Sequence, residues 1–161
     1  MKILSMKTTI FLGAMLSLLV CLMFTGCSNS ETNSTSRGLT DFAHIEEEYL
    51  ATIDSLNWPD GITLPDKLED EDTGASFQVG YGETRASYLW EYSWMKEWLR
   101  SRGLGDVYKR QALEELEKAF DMPYMGKDRC DDATRNYLRE NIDKAKLGDP
   151  SGFRECIDVN Y

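Results

Sequence analysis

TRASYLWEYSWMKEWLR, residues 84–100, is the stretch on which the fold turns. At 100° per residue, Ala86, Trp90, Trp94 and Trp98 fall within about 120° of arc, and Tyr88, Tyr92, Met95 and Leu99 within about 60° on the opposite side. A helix apolar on two opposed faces is sandwiched between other elements. This one is therefore expected at the centre of a small bundle. The rings themselves admit two readings. An aromatic stripe at helical spacing is ordinarily core, but Trp90, Trp94 and Trp98 exposed one turn apart would form a platform for stacking on sugar faces.

Outward from this helix the chain stays helical. Residues 40–57 place Phe42, Ile45, Tyr49, Ile53 and Leu56 at steps of 3, 4, 4 and 3, with Glu46, Glu47 and Glu48 between them. That spacing predicts an amphipathic helix with Thr40 or Asp41 as its cap and Trp58-Pro59 as its stop. Residues 59–82 hold Pro59-Asp60-Gly61, Pro65, Asp72-Thr73-Gly74 and Gly80-Tyr81-Gly82, which is turn chemistry with a short strand at most, at 77–79. Beyond the central helix, Leu113, Leu116 and Phe120 form a stripe stopped by Pro123. Residues 131–146 give another through Thr134, Tyr137, Leu138, Ile142 and Ala145, with Gly148 as C-terminal cap. Asp149 and Pro150 read as N-cap and first position of a short last helix with Phe153 and Ile157 inward. The expectation is a mainly α fold, a bundle of four to five helices spanning residues 40–161.

The N-terminus gives the address. In MKILSMKTTIFLGAMLSLLVCLMFTGCSNS, Lys2 and Lys7 precede an apolar run from Ile10 to Phe24. At 15 residues the run is short for a membrane span of about 20 residues and suits the core of an export signal. It ends in Phe24-Thr25-Gly26-Cys27, which resembles the lipobox of bacterial lipoproteins, with Phe24 standing where leucine is usual. The resemblance implies a signal peptide over residues 1–26, cleavage before Cys27, and lipid on the Cys27 thiol. Residues 28–36, SNSETNSTS, hold no apolar side chain. They cannot offset their ordering entropy by burial, so residues 27–39 are expected to act as a flexible tether. Lipid, tether and body together place the protein extracytoplasmically, anchored to a membrane. The QVGYGETRASYLWEYSWMKEWL and DDATRNYL blocks are similar to small bacterial lipoproteins of no established activity.

Residues 101–111, SRGLGDVYKRQ, resemble something else: a translated sequencing adapter. In one frame the transposon mosaic end and read primer of tagmentation libraries translate to Ser-Arg-Gly-Leu-Gly-Asp-Val-Tyr-Lys-Arg-Gln, agreeing at all 11 positions. Such a scar belongs outside fold and function reasoning. It implies that residues 1–100 and 112–161 are parts of one gene, or of two, joined artificially, and that Arg102, Tyr108, Lys109 and Arg110 carry no function. Gly103 and Gly105 are poor helix formers, so they are expected to break the natural connection, with Asp106 capping a new, longer helix that runs into Gln111 and Ala112.

The 161 residues suit one domain, and a composition 42% apolar and 29% charged is globular rather than disordered. Lys and Arg number 18 against 28 Asp and Glu, a net charge of −10, and the leader holds two lysines and no acid. That balance argues against nucleic acid and against polybasic attachment to anionic lipid. Catalytic material is sparse. His44 is the sole histidine, and with Glu48 one turn on it reads as an ion pair rather than a metal site. Ser93-Trp94-Met95-Lys96 matches S-x-x-K, but neither SDN nor KTG accompanies it. Asp70, Asp72 and Gly74 lack the glycine and glutamate that a calcium loop needs six and twelve positions from its start. No cofactor or metal is called for.

Four cysteines divide simply: Cys21 leaves with the leader, Cys27 takes lipid, and Cys130 and Cys156 remain. In an exported setting the last two form either a disulfide, closing a 26-residue loop worth about 3 kcal/mol if unstrained, or two separate buried thiols. The sequence thus supports a lipid-anchored, non-catalytic helical module meeting a protein partner or the envelope. The alternative is an envelope glycan-binding or glycan-acting lipoprotein using Trp90, Trp94 and Trp98 with carboxylates such as Glu91 and Glu97.

Overall fold

The computed structural model describes residues 38–69, 71–101 and 106–161. The leader, Cys27 and the tether up to residue 37 lie outside them, as do Asp70 and residues 102–105. The described chain is mainly α, with five helices: α1 (Phe42–Ser55), α2 (Tyr81–Arg100), α3 (Asp106–Glu117), α4 (Asp132–Lys146) and α5 (Ser151–Asn160). Two-residue strands β1 (Leu39–Thr40) and β2 (Phe77–Gln78) pair antiparallel, with Leu39 opposite Gln78 and Thr40 opposite Phe77. Short 3-10 turns at Lys118–Asp121 and Pro123–Met125 link α3 to α4. No helix among the described residues is long and apolar enough to cross a membrane.

Local chemistry sets most of the helix ends. Asp41 Oδ1 accepts from the His44 N–H at 3.0 Å and starts α1; Asp131 does the same for α4 through the Thr134 N–H at 2.7 Å. Gly148, at φ +81°, takes the left-handed conformation that closes α4. Asp149 Oδ1 accepts from the Ser151 N–H at 2.9 Å where α5 begins. Helix α3 starts at Asp106, where the two glycines of the adapter-like stretch end.

Helix α2 begins three residues before the expected Thr84, and its start is made by another helix. The Glu48 carboxylate of α1 accepts from the Gly80 N–H at 2.7 Å and the Gly82 N–H at 3.2 Å. These are amide groups a helix start leaves without intrahelical partners, and an anion there also meets the positive end of the helix dipole. His44 Nε2 lies 3.3 Å from Glu48 Oε1, the one-turn contact expected of that spacing, which is an ion pair when the imidazole carries a proton. Glu48→Ala is expected to lower stability by about 1–2 kcal/mol, read by urea denaturation at pH 7, with Glu48→Gln recovering part of the loss.

Helix α2 is the central element, packed against α1, α3 and α5. Its N-terminal half joins one apolar cluster with Ile45, Tyr49 and Ile53 of α1 and Leu68. Its C-terminal half joins a second with Leu116, Leu138, Ile142 and Phe153. The double-faced pattern of 84–100 holds fully on one face only: Ala86, Trp90, Trp94 and Trp98 are buried, whereas on the opposed face Met95 is buried, Tyr92 and Leu99 are half-buried and Tyr88 is exposed. The crossing with α1 is close: a Cβ on Gly82 would stand 1.8 Å from the Ile45 carbonyl oxygen.

Candidate functional site

The tryptophan stripe is core, and the platform expectation is corrected here. Trp90, Trp94 and Trp98 are 1%, 2% and 1% exposed. Trp90 and Trp94 both donate Nε1–H to the Asn57 carbonyl, at 2.7 and 3.1 Å, and Trp98 meets Phe153 edge to face at 5.3 Å. With α1 and its following segment on one side and α3 and α5 on the other, no ring face is left for a sugar. In a Trp58→Phe background, which removes the one half-buried indole, emission is expected to resist iodide quenching and to ignore added glycans. Quenching like that of free indole would restore the platform.

The other sequence candidates fall as follows. Glu97 holds Arg100 at 2.8 Å and accepts from the Ser101 hydroxyl at 3.1 Å, so it does not meet Glu91. Ser93 spends its hydroxyl on the Leu89 carbonyl at 2.7 Å, and Lys96 points instead to the Tyr92 hydroxyl at 3.1 Å. Asp72 Oδ1 accepts from the Gly74 N–H at 2.9 Å in an exposed turn. Among the described residues no group of three or more His, Cys, Asp and Glu could hold a metal ion. Cys130 and Cys156 are free thiols rather than a disulfide. Burial, and then the charges of Asp131 and Glu91 respectively, push the two thiols above the usual range.

The residue that does stand out is Glu91. It lies mid-helix in α2, 5% exposed, and accepts a hydrogen bond from the Tyr124 hydroxyl of the 3-10 turn before α4. Loss of hydration on burial raises its carboxyl to about 7 from an ordinary 4.5, against the lowering effect of the tyrosine bond. The same burial, followed by the charge of Glu91, keeps Tyr124 protonated. Signals for this site do exist in the sequence. At 100° per residue Glu91 lies about 40° from Met95 and about 20° from Trp98, an acid in register with core positions.

Glu91 is part of the lining of a cleft of about 690 Å³ between α2, α4 and α5, with Tyr88, Met125, Leu138, Cys156 and Tyr161. The size falls in the range of small-molecule sites, and so does the character: mostly apolar walls with few polar groups. Tyr161 is fixed as one wall. Its hydroxyl donates to the Tyr88 carbonyl at 3.0 Å, and its ring lies 4.8 Å from that of Tyr92. Burial, and next the Glu91 charge, raise both Tyr161 and Tyr88 above the normal phenol value. Thr134 of α4 and Arg85 of α2 complete the rim, and Arg85 Nε lies 3.3 Å from Glu71 Oε1. Such an arrangement offers a partly open, aromatic pocket with one titratable carboxyl in its lining. No family model, curated protein or solved structure matches the chain.

Proposed function

We propose that the chain is a lipid-anchored, extracytoplasmic binding module whose site is the cleft between α2, α4 and α5. The observation that carries the binding half is that cleft, about 690 Å³ and mostly apolar with a buried carboxyl in its lining. Binding rather than chemistry is favoured because the side chains that the sequence offered for chemistry on α1 and α2 are committed to neighbours. His44 holds Glu48, Ser93 the Leu89 carbonyl, and Lys96 the Tyr92 hydroxyl. The anchoring half rests on the lipobox-like Phe24-Thr25-Gly26-Cys27 and the Ser/Thr/Asn-rich residues after it.

Each half has its own test. Metabolic labelling with a fatty-acid analogue should mark the wild-type chain and miss Cys27→Ala; equal labelling retires the anchor. For the cleft, NMR spectra of the full-length Cys27→Ala chain are recorded with a fragment library. Shifts clustering on Ala133, Leu138 and Tyr161 are expected, and a library that leaves those resonances unmoved overturns the cleft as a binding site.

A further inference from the structure

Three tyrosines that the fold leaves exposed line the cleft, Tyr88 of α2, Tyr137 of α4 and Tyr161 just past α5, the first and last also lining a smaller pocket of about 300 Å³ beside Tyr49 and Leu68. Among the described residues the other exposed large apolar side chains, Leu147 and Val159 among them, lie elsewhere. A tyrosine ring carries negative potential on its face, and a cation held against several such faces is attracted by all of them. Glu91 adds a carboxyl that has lost its hydration and would regain a counter-charge from a bound cation. The chain is also acidic overall, at −10, so its long-range field draws cations inward. Arg85 is the one basic group in the lining, and its guanidinium is already met by Glu71 at 3.3 Å. An anionic ligand would face Glu91 with little help from Arg85. A neutral apolar one would leave the carboxyl buried without a charge partner.

We propose that the cleft takes an organic cation, an amine or quaternary ammonium compound whose charged head sits at Glu91 among Tyr88, Tyr137 and Tyr161. The volume accommodates a head of that kind together with a short apolar tail along Met125 and Leu138. The inference rests on the cleft being the binding site, as argued above, and adds the chemistry of what enters it.

The test titrates the full-length Cys27→Ala chain at pH 8 with choline and with its neutral isostere, in which carbon replaces the quaternary nitrogen. Calorimetry gives affinity and NMR gives location. Choline is expected to bind at least about tenfold more tightly than the isostere, a preference of about 1.4 kcal/mol, with shifts at Tyr137 and Tyr161. Glu91→Gln should lower the ratio several-fold, leaving the part that the tyrosine faces supply. Tyr137→Ala, a change on the surface of α4 that leaves the core untouched, should weaken choline several-fold and the isostere little. If both compounds bind equally in the cleft, the cation inference falls and the binding site stands. If choline keeps its preference in Glu91→Gln and in Tyr137→Ala, the inference falls as well. If neither compound moves a cleft resonance, the cation inference is overturned, and the fragment library above decides the site separately.

Discussion

Gly82→Ala is expected to destabilise the domain by about 3 kcal/mol or more, with a fall of about 10 °C in Tm. The added Cβ would lie 1.8 Å from the Ile45 carbonyl oxygen, 2.8 Å from its carbon and 2.9 Å from the Tyr49 nitrogen. All three are backbone atoms of α1, which cannot rotate away as a side chain would. Relief requires the two helices to separate. That would lengthen the Glu48 bonds to the Gly80 and Gly82 amides and loosen Ile45, Tyr49 and Ala86. Gly74→Ala is the control: its Cβ meets only Asp72 Oδ1 at an ordinary 3.4 Å, and a change within about 0.5 kcal/mol is expected. Thermal melts followed by circular dichroism decide the matter. A Gly82→Ala protein as stable as Gly74→Ala would mean that the crossing is not this tight.

Glu91→Gln is expected to reverse sign with pH. The Glu91 carboxyl is raised by burial from 4.5 to about 7, so the folded protein holds its proton more firmly than the unfolded chain does. Stability from this group is complete below about 4.5 and is lost as pH rises through about 7. A rise of that size corresponds to about 3 kcal/mol. At pH 8 the glutamine variant, which has no charge to bury, should therefore be more stable than wild type by up to about 3 kcal/mol. At pH 4 the two should be nearly equal. The other titratable groups facing Glu91 are Tyr88, Tyr124 and Tyr161, with Cys130 and Cys156, and all are shifted upward, away from this window. Asp131, lowered chiefly by the Thr134 amide, slopes the opposite way in both proteins and cancels in the difference. Tyr124→Phe removes the bond that lowers the Glu91 carboxyl, so its slope should extend to higher pH. Urea denaturation at intervals from pH 4 to pH 8 supplies the comparison; a constant difference between wild type and Glu91→Gln would remove the carboxyl from the account.

What could be read from the chain was whatever local chemistry dictates. The Asp41 cap and the left-handed Gly148 depend on residues within one turn of the helix ends, and they sit where the spacing places them. The opposed apolar faces of residues 84–100 likewise imply neighbours on both sides, and α1, α3 and α5 supply them. The start of α2 was not legible. Gly80-Tyr81-Gly82 reads as a turn because its caps come from Glu48, more than 30 positions earlier. The site was legible only in part. Periodicity sets Glu91 in register with Met95 and Trp98, but its partner Tyr124 comes from a segment 33 positions on, beyond α3. Periodicity separates inside from outside, but it does not say which distant hydroxyl makes a buried acid tolerable.

The shared Asn57 carbonyl gives the protein an optical reporter of its own. Trp90 and Trp94 both point their indole N–H at that single oxygen, at 2.7 and 3.1 Å, just past the end of α1. Two indoles held this near to one acceptor should couple and give a signed near-ultraviolet dichroism band, which vanishes when α1 and its following segment lift off α2. Every atom involved lies in α2 or in the segment just past α1, so the band would read the docking of α1 on α2.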